Sequence, residues 1–279
     1  MTLLLLLALQ ATSPETDAVM ARSRREAAAA RQAALPTPVL PLAPETAAKL
    51  QNCLDSAMAD PEAGIRAANA WRMAGGSFHA RQCLGFSYAK ADRWAPALVA
   101  FEQAAEEAER ANDSASSARL WAQAGNAALA GGDAAKARDC FDAALARGMP
   151  DGLAKGEAYL DRARARVALN DLAGARQDMD SALDFASQDP LAWLLSATLA
   201  RRTGEMPLAQ AHIARAVQMA PDDASVALEE GNIAILTDHT DVARAAWQRA
   251  VRIAGRNGAG QNGVGKAAAD SLARLDARP

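Results

Sequence analysis

The chain has 279 residues, 74 of them alanine, and its apolar content of 51% supports a sizeable core, which excludes wholesale disorder. Two Tyr, five Phe and few β-branched residues argue against a β-sandwich or barrel. Thirty basic and 33 acidic side chains leave a net charge of −3, far from the basic footprint of a nucleic-acid binder.

The N-terminus, residues 1–11, reads Met-Thr, five leucines, Ala-Leu-Gln-Ala. It is too short to cross a bilayer as a helix, but it has the length of a secretory h-region, with Ala11 as a small residue at a cleavage point. No Lys or Arg precedes the leucines, so a frayed hydrophobic N-terminus is the alternative to a signal peptide. If the segment is a signal, the mature chain is exported, to the periplasm of a bacterium rather than its cytoplasm. Residues 12–44 follow as a linker: Arg22, Arg24, Arg25 and an alanine run with the makings of a helix, then prolines at 36, 38, 41 and 44. Proline fixes φ and lacks a donor, so this stretch is a stiff spacer.

From about residue 45 the chain reads as helical pairs with no strand-like alternation. The decisive feature is self-similarity at a period near 34 residues. Units anchored at Phe78, Ala118, Gly156, Pro190 and Ala224 place Ala97, Ala137, Ala175, Ala209 and Ala243 at position 20. Position 27 holds Ala104, Ala144, Ala182, Ala216 and Ala250. Position 15 holds Asp92, Gly132, Asn170, Gly204 and Asp238, all turn formers. Position 24 is always large and apolar: Phe101, Phe141, Met179, Ile213 and Trp247. An alanine-rich chain produces accidental alanine columns, but not a turn column and a bulky column in phase with them. Small residues at position 8 (Gly85, Gly125, Ala163, Ala197, Gly231) let paired helices approach closely. Each pair is too small to bury its own apolar face and must stack on its neighbours.

This pattern resembles the tetratricopeptide repeat (TPR) family. Trp121, Tyr159 and Trp193 occupy its aromatic position 4, and Pro221 its helix-ending position 32. The resemblance implies an all-α, right-handed solenoid with repeats at 78–111, 118–151, 156–189, 190–223 and 224–257. A degenerate pair at 45–77 precedes them, with Ala67, Trp71 and Ala74 at positions 20, 24 and 27, and a glycine-rich loop and capping helix at 258–279 follow. There are departures. Position 7, usually apolar, holds Arg162, Ser196 and Glu230, position 11 holds Arg166, and the connections before Ala118 and Gly156 are long.

In this register Cys53 and Cys83 both fall at position 6 of neighbouring first helices, whose axes would lie about 9–10 Å apart. In an exported protein they would form a disulfide; two half-buried free thiols are the alternative. Cys140, beside Phe141, reads as core.

Site-like motifs fail on context. Gly258-Ala-Gly260-Gln-Asn-Gly263 and the overlapping near-Walker sequence ending in Lys266-Ala267 follow a helix rather than a strand, so no phosphate loop is expected. His79, His212 and His239 sit in different units without metal spacing and read as surface residues. The acidic run Glu102–Glu109 reads as a solvated face. No catalytic residue, metal, cofactor or small-molecule substrate is expected, and membrane attachment stays open.

The remaining surface is the groove that first helices line in this family at positions 2, 5, 9, 12 and 13. Carried over, these give Gln82, Phe86, Lys90, Arg119, Asn126, Arg164, Leu191, Leu194, Arg201, Arg202, Leu228 and Asn232 as partner-binding residues, with His79, Leu129, Glu157, Leu160, Val167, Thr198, Ser225 and Ile235 beside them. Lys90, Arg119, Arg164, Arg201 and Arg202 outnumber Glu157 on this face, so a protein or peptide partner with acidic groups is expected. Asn126 lacks the lysine that would join it in clamping a chaperone-tail carboxylate, since Ala122 stands there. The expected function is noncatalytic protein–protein interaction; the alternative is an assembly subunit that uses its convex face or ends and leaves the groove idle.

Overall fold

The computed structural model describes residues 42–256 and 263–277, and every regular element among them is an α-helix. Helices α1 (Pro44–Ala59) and α2 (Pro61–Met73) form the first pair, α3 (Ser77–Lys90) and α4 (Trp94–Arg110) the second, α5 (Ser114–Ala130) and α6 (Ala134–Ala146) the third. Then come α7 (Leu153–Ala168) with α8 (Leu172–Phe185), α9 (Pro190–Arg202) with α10 (Met206–Met219), α11 (Ala224–Leu236) with α12 (Thr240–Arg256), and the terminal α13 (Gly263–Asp276). The segment 1–11, the linker up to residue 41 and the loop 257–262 lie outside the described residues.

The turn within each of the five later pairs is built the same way. Asp92, Gly132, Asn170, Gly204 and Asp238 all adopt the left-handed conformation, with φ of 55, 81, 62, 81 and 61°. The following N–H returns to a carbonyl five residues earlier: Arg93 to Tyr88, Asp133 to Ala128, Asp171 to Arg166, Glu205 to Ala200 and His239 to Ala234. This is the Schellman closure, which satisfies carbonyls that a helix end leaves open. The next helix often starts on an aspartate cap: Asp133 accepts from the Lys136 N–H at 3.0 Å and Asp171 from the Gly174 N–H at 2.9 Å. Such caps contribute about 1 kcal/mol each. The long connections before Ala118 and Gly156 are absorbed by first helices that start early, at Ser114 and Leu153.

Each helix packs on the next, and first helices also touch across pairs, α1 on α3, α5 on α7, α9 on α11 and α11 on α13. The core is therefore a row of apolar clusters, each shared by neighbouring pairs, as in a solenoid. At the C-terminal end Ala268 and Leu275 of α13 cover Trp247 and Ile253. Positions 8 and 24 are matched in size within each pair: glycine faces an aromatic ring (Gly85–Phe101, Gly125–Phe141, Gly231–Trp247), and alanine stands where position 24 holds Met179 or Ile213.

The polar residues at position 7 are answered from the second helix. Arg162 donates to buried Asp178 through Nη2 at 2.6 Å and Nε at 2.9 Å, and Arg166 Nη1 lies 3.4 Å from the same carboxylate. Ser196 Oγ meets Arg176 at 3.0 Å and His212 at 2.9 Å, and Glu230 pairs with Arg249. The third to fifth repeats thus carry a polar layer where the first two hold Leu84 with Ala100 and Ala124 with Cys140.

At the N-terminal end the first pair departs from the register expected for it. A single residue, Asp60, separates α1 from α2, so the second helix starts early. Gly64, three residues into α2, is buried as Ala97 and Ala137 are in theirs, with Ala68 buried a turn later. Ala67 is half-buried and Ala74 exposed, which moves the alignment by three residues. The sulfurs of Cys53 and Cys83 are bonded across α1 and α3, with Cα atoms 6.2 Å apart.

Candidate binding groove

The wall of first helices opens into a cavity of ≈ 710 Å³ between α5, α7 and the start of α9. Its apolar lining comes from Leu129, Leu160 and Leu191, with Phe141 and Met149 at its base. Leu191 is 46% exposed and Leu160 3%, so the lining grades from an open rim to a buried floor. The polar lining comes from Arg119, Gln123, Asn126, Glu157, Asp161, Arg164 and Asp189.

Of the expected partner-binding residues, this cavity gathers Arg119, Asn126, Arg164 and Leu191. Asn126 is exposed and its side chain makes no hydrogen bond to another described residue, so its amide is open to a ligand. A second cavity, ≈ 370 Å³, gathers Arg201 and Asn232 with Trp247, Arg274 and Leu275. There the polar groups are already engaged: Arg201 Nε donates to Glu229 at 2.6 Å, and Asn232 bonds Glu229 at 3.2 Å and the Trp247 indole at 3.2 Å.

The rest of the expected set lines neither cavity. Leu194 is a core residue at 8% exposure, because position 5 points between adjacent pairs in this part of the stack. Phe86 and Leu228 are half-buried against the clusters around Phe101 and Trp247. Gln82 is half-buried. Lys90 and Arg202 are exposed in the last turns of α3 and α9, where cations suit the helix dipole.

The expected excess of positive charge does not carry into the large cavity. Arg164 donates to Asp161 at 2.8 Å, and Arg119 turns to Ser116 Oγ at 3.0 Å. Glu157, Asp161 and Asp189 line the same space. Desolvation by burial, then the Asp161 and Asp189 carboxylates, raise the pKa of Glu157. Burial also raises Asp161, with Arg164 opposing it. Gln123, Asp161 and Asp189 escape the family's groove positions: the first two stand at position 6 and the third caps α9, accepting the Leu191 N–H at 2.9 Å. The signal available in the sequence was the i,i+3 spacing of Asp161 and Arg164 on one helix face.

Two further sequence readings change. His79 stacks on Phe78 with ring centroids 3.9 Å apart, and His212 is half-buried beside Trp193, so neither is a plain surface residue. The acidic run on α4 forms bridges rather than a solvated face: Glu102 to Lys136 at 2.7 Å, Glu107 to Arg81 at 2.7 Å, and Glu109 to Arg147 and the Trp121 indole. Cys140 is buried and its thiol is pushed up to about 12, chiefly by desolvation. Among the described residues no three His, Cys, Asp or Glu gather as a metal-binding set, and no helix is long and apolar enough to cross a membrane.

No protein-family model and no curated protein matches the sequence. Solved structures do. The TPR protein YrrB, described as having an unusual peptide-binding site, is 18% identical with a TM-score of 0.51, over 66% of this chain and 90% of that one. PilF of Pseudomonas aeruginosa is 15% identical with a TM-score of 0.62, over 77% and 95%. The C-terminal part of a TPR repeat-containing protein from Cytophaga hutchinsonii is 12% identical with a TM-score of 0.58, over 77% and 80%. At these identities the likeness is one of fold: the chain is a TPR-type α-solenoid.

Proposed function

We propose that the chain is a noncatalytic interaction scaffold that holds a segment of a partner protein in the groove between α5, α7 and α9. The observation that carries this is the ≈ 710 Å³ cavity, a size typical of ligand sites, with an apolar floor and an unengaged Asn126 amide at its wall. Solenoids of this kind offer long inner surfaces for extended segments. YrrB, which shares the fold, is described by a peptide-binding site.

An exported location, as in a cell envelope, is supported by the Cys53–Cys83 pair, because disulfides persist in oxidising compartments, and by the leucine run at residues 3–7. Intact mass of fractionated full-length material tests it: a periplasmic product shortened near Ala11 supports export, and an uncleaved cytosolic product overturns it.

A photo-crosslinking amino acid at position 126 tests the groove reading, with one at exposed Val99 on α4 as the contrast. Partner adducts from position 126, lost when Ala130→Trp fills the cavity, are the expected result. Adducts from position 99 alone would favour assembly through the outer face.

A further inference from the structure

The charged lining of the large cavity is unevenly answered. Asp161 has Arg164 at 2.8 Å. Among the described residues Glu157 makes no ion pair, and Asp189 spends one oxygen on the Leu191 N–H and likewise makes none. Gln123 Oε1 is buried in the same lining with no hydrogen-bond donor. Beside the donors of Arg119, Arg164 and Asn126, the space therefore presents two carboxylates without a paired cation and one unanswered amide oxygen around an apolar floor. Burial, with Asp161 and Asp189 adding to it, raises the proton affinity of Glu157, as expected of a carboxylate in want of a cation.

We propose that the segment held in this groove carries a lysine or arginine side chain that lies between Glu157 and Asp189, flanked by apolar side chains seated on Leu129, Leu160 and Leu191. This rests on the groove reading above and names the chemistry of its occupant. The incoming cation supplies the ion-pair donors that Glu157 and Asp189 lack, and Leu129, Leu160 and Leu191 bury its neighbours. An acidic segment would meet Glu157 and Asp189 as like charges, which costs affinity and opposes entry.

The test is selection of a random twelve-residue peptide display library on the full-length protein. Labelled synthetic copies of the selected peptides are then titrated by fluorescence anisotropy. The variants are Glu157→Gln with Asp189→Ser, in which serine keeps the helix cap, and Ala130→Trp, which fills the cavity. Circular dichroism melts check folding, and Glu157→Gln alone, at an exposed position, serves if the double variant is unstable.

The expected result is peptides with Lys or Arg between Leu, Met or Phe. Affinity should fall about tenfold when that cation is replaced by methionine or when Glu157 and Asp189 are neutralised. Binding should be abolished by Ala130→Trp. Selected peptides that are acidic or uncharged, or that bind the neutralised variant unchanged while Ala130→Trp still blocks them, would overturn the charge assignment and leave the groove reading standing. Binding untouched by Ala130→Trp, or no selected peptide, would remove both.

Discussion

A Cβ placed on Gly125 would lie 2.8 Å from Cζ of Phe141, closer than packed atoms approach. The hydrogen at position 8 is thus what admits an aromatic ring at position 24, and the chain repeats the rule with Gly85 and Phe101. Gly125→Ala should lose about 1–3 kcal/mol to overpacking against about 1 kcal/mol gained in helix propensity, a net destabilisation. In a Phe141→Met background, which copies the Ala163–Met179 pair, the same change should become stabilising. Urea melts of the four proteins in this double-mutant cycle decide it; a Gly125→Ala effect of the same sign in both backgrounds would show that the ring does not set the requirement.

The buried Asp178 carboxylate, 2% exposed, holds Arg162 and Arg166 together. Removing it leaves the two half-buried guanidinium groups with only the more exposed Asp142 and Asp171 as anions, so Asp178→Ala should be strongly destabilising, by about 3 kcal/mol. Adding Arg162→Leu rebuilds the apolar pair seen at Leu84 and Ala100, and should recover part of that loss. Chemical denaturation of the single and double variants measures it, and equal stability of the two would contradict the pairing.

These two cases show what the sequence could and could not convey. The left-handed turns at Asp92, Gly132, Asn170, Gly204 and Asp238 were legible because one backbone conformation, met by few residue types, recurs at a fixed spacing. The position 8 and 24 columns were legible because size reports packing. Arg162 and Arg166 looked like faults because their partner stands on the other helix of the pair, where spacing along one helix carries no signal. The groove was half legible for a related reason. Arg119, Asn126, Arg164 and Leu191 follow from the repeat register, whereas Asp189 enters as the cap of the next unit. The basic count along the face also ignored Asp161 and Glu229, which engage Arg164 and Arg201.

Thiol chemistry should follow burial. Native protein should show no thiol reactive to an aromatic disulfide reagent at neutral pH, because Cys140 is buried with its thiol raised to about 12 and Cys53 is bonded to Cys83. Denatured protein should show one, and denatured reduced protein three. Across the 30-residue separation the cross-link is worth about 3.5 kcal/mol by the chain-entropy relation, so Cys53→Ser with Cys83→Ser should lower the melting temperature. Three thiols in unreduced denatured protein would mean that the bond is not formed.

Two kinds of titrating group should act in opposite senses on stability. Burial lowers the pKa of His212, with Arg176 adding to it, and burial lowers that of His79. A depressed imidazole pKa means that the unfolded chain takes up protons first. Stability is therefore fully present above the unfolded value near 6.5 and falls as pH drops below it. Glu157 and Asp161 are raised, so their contribution is fully present below the unfolded carboxylate values and is lost as pH rises through the folded ones. Glu157→Gln should accordingly raise the melting temperature at pH 7 and leave it unchanged near pH 3, where the carboxyl is protonated in both states. His212→Gln should flatten the loss of stability between about pH 6.5 and 5. Thermal melts across pH 3–8 separate the two. A Glu157→Gln variant less stable than the parent at pH 7 would mean that a cation within the chain already answers this carboxylate, and the space beside it would then have no need of a basic ligand.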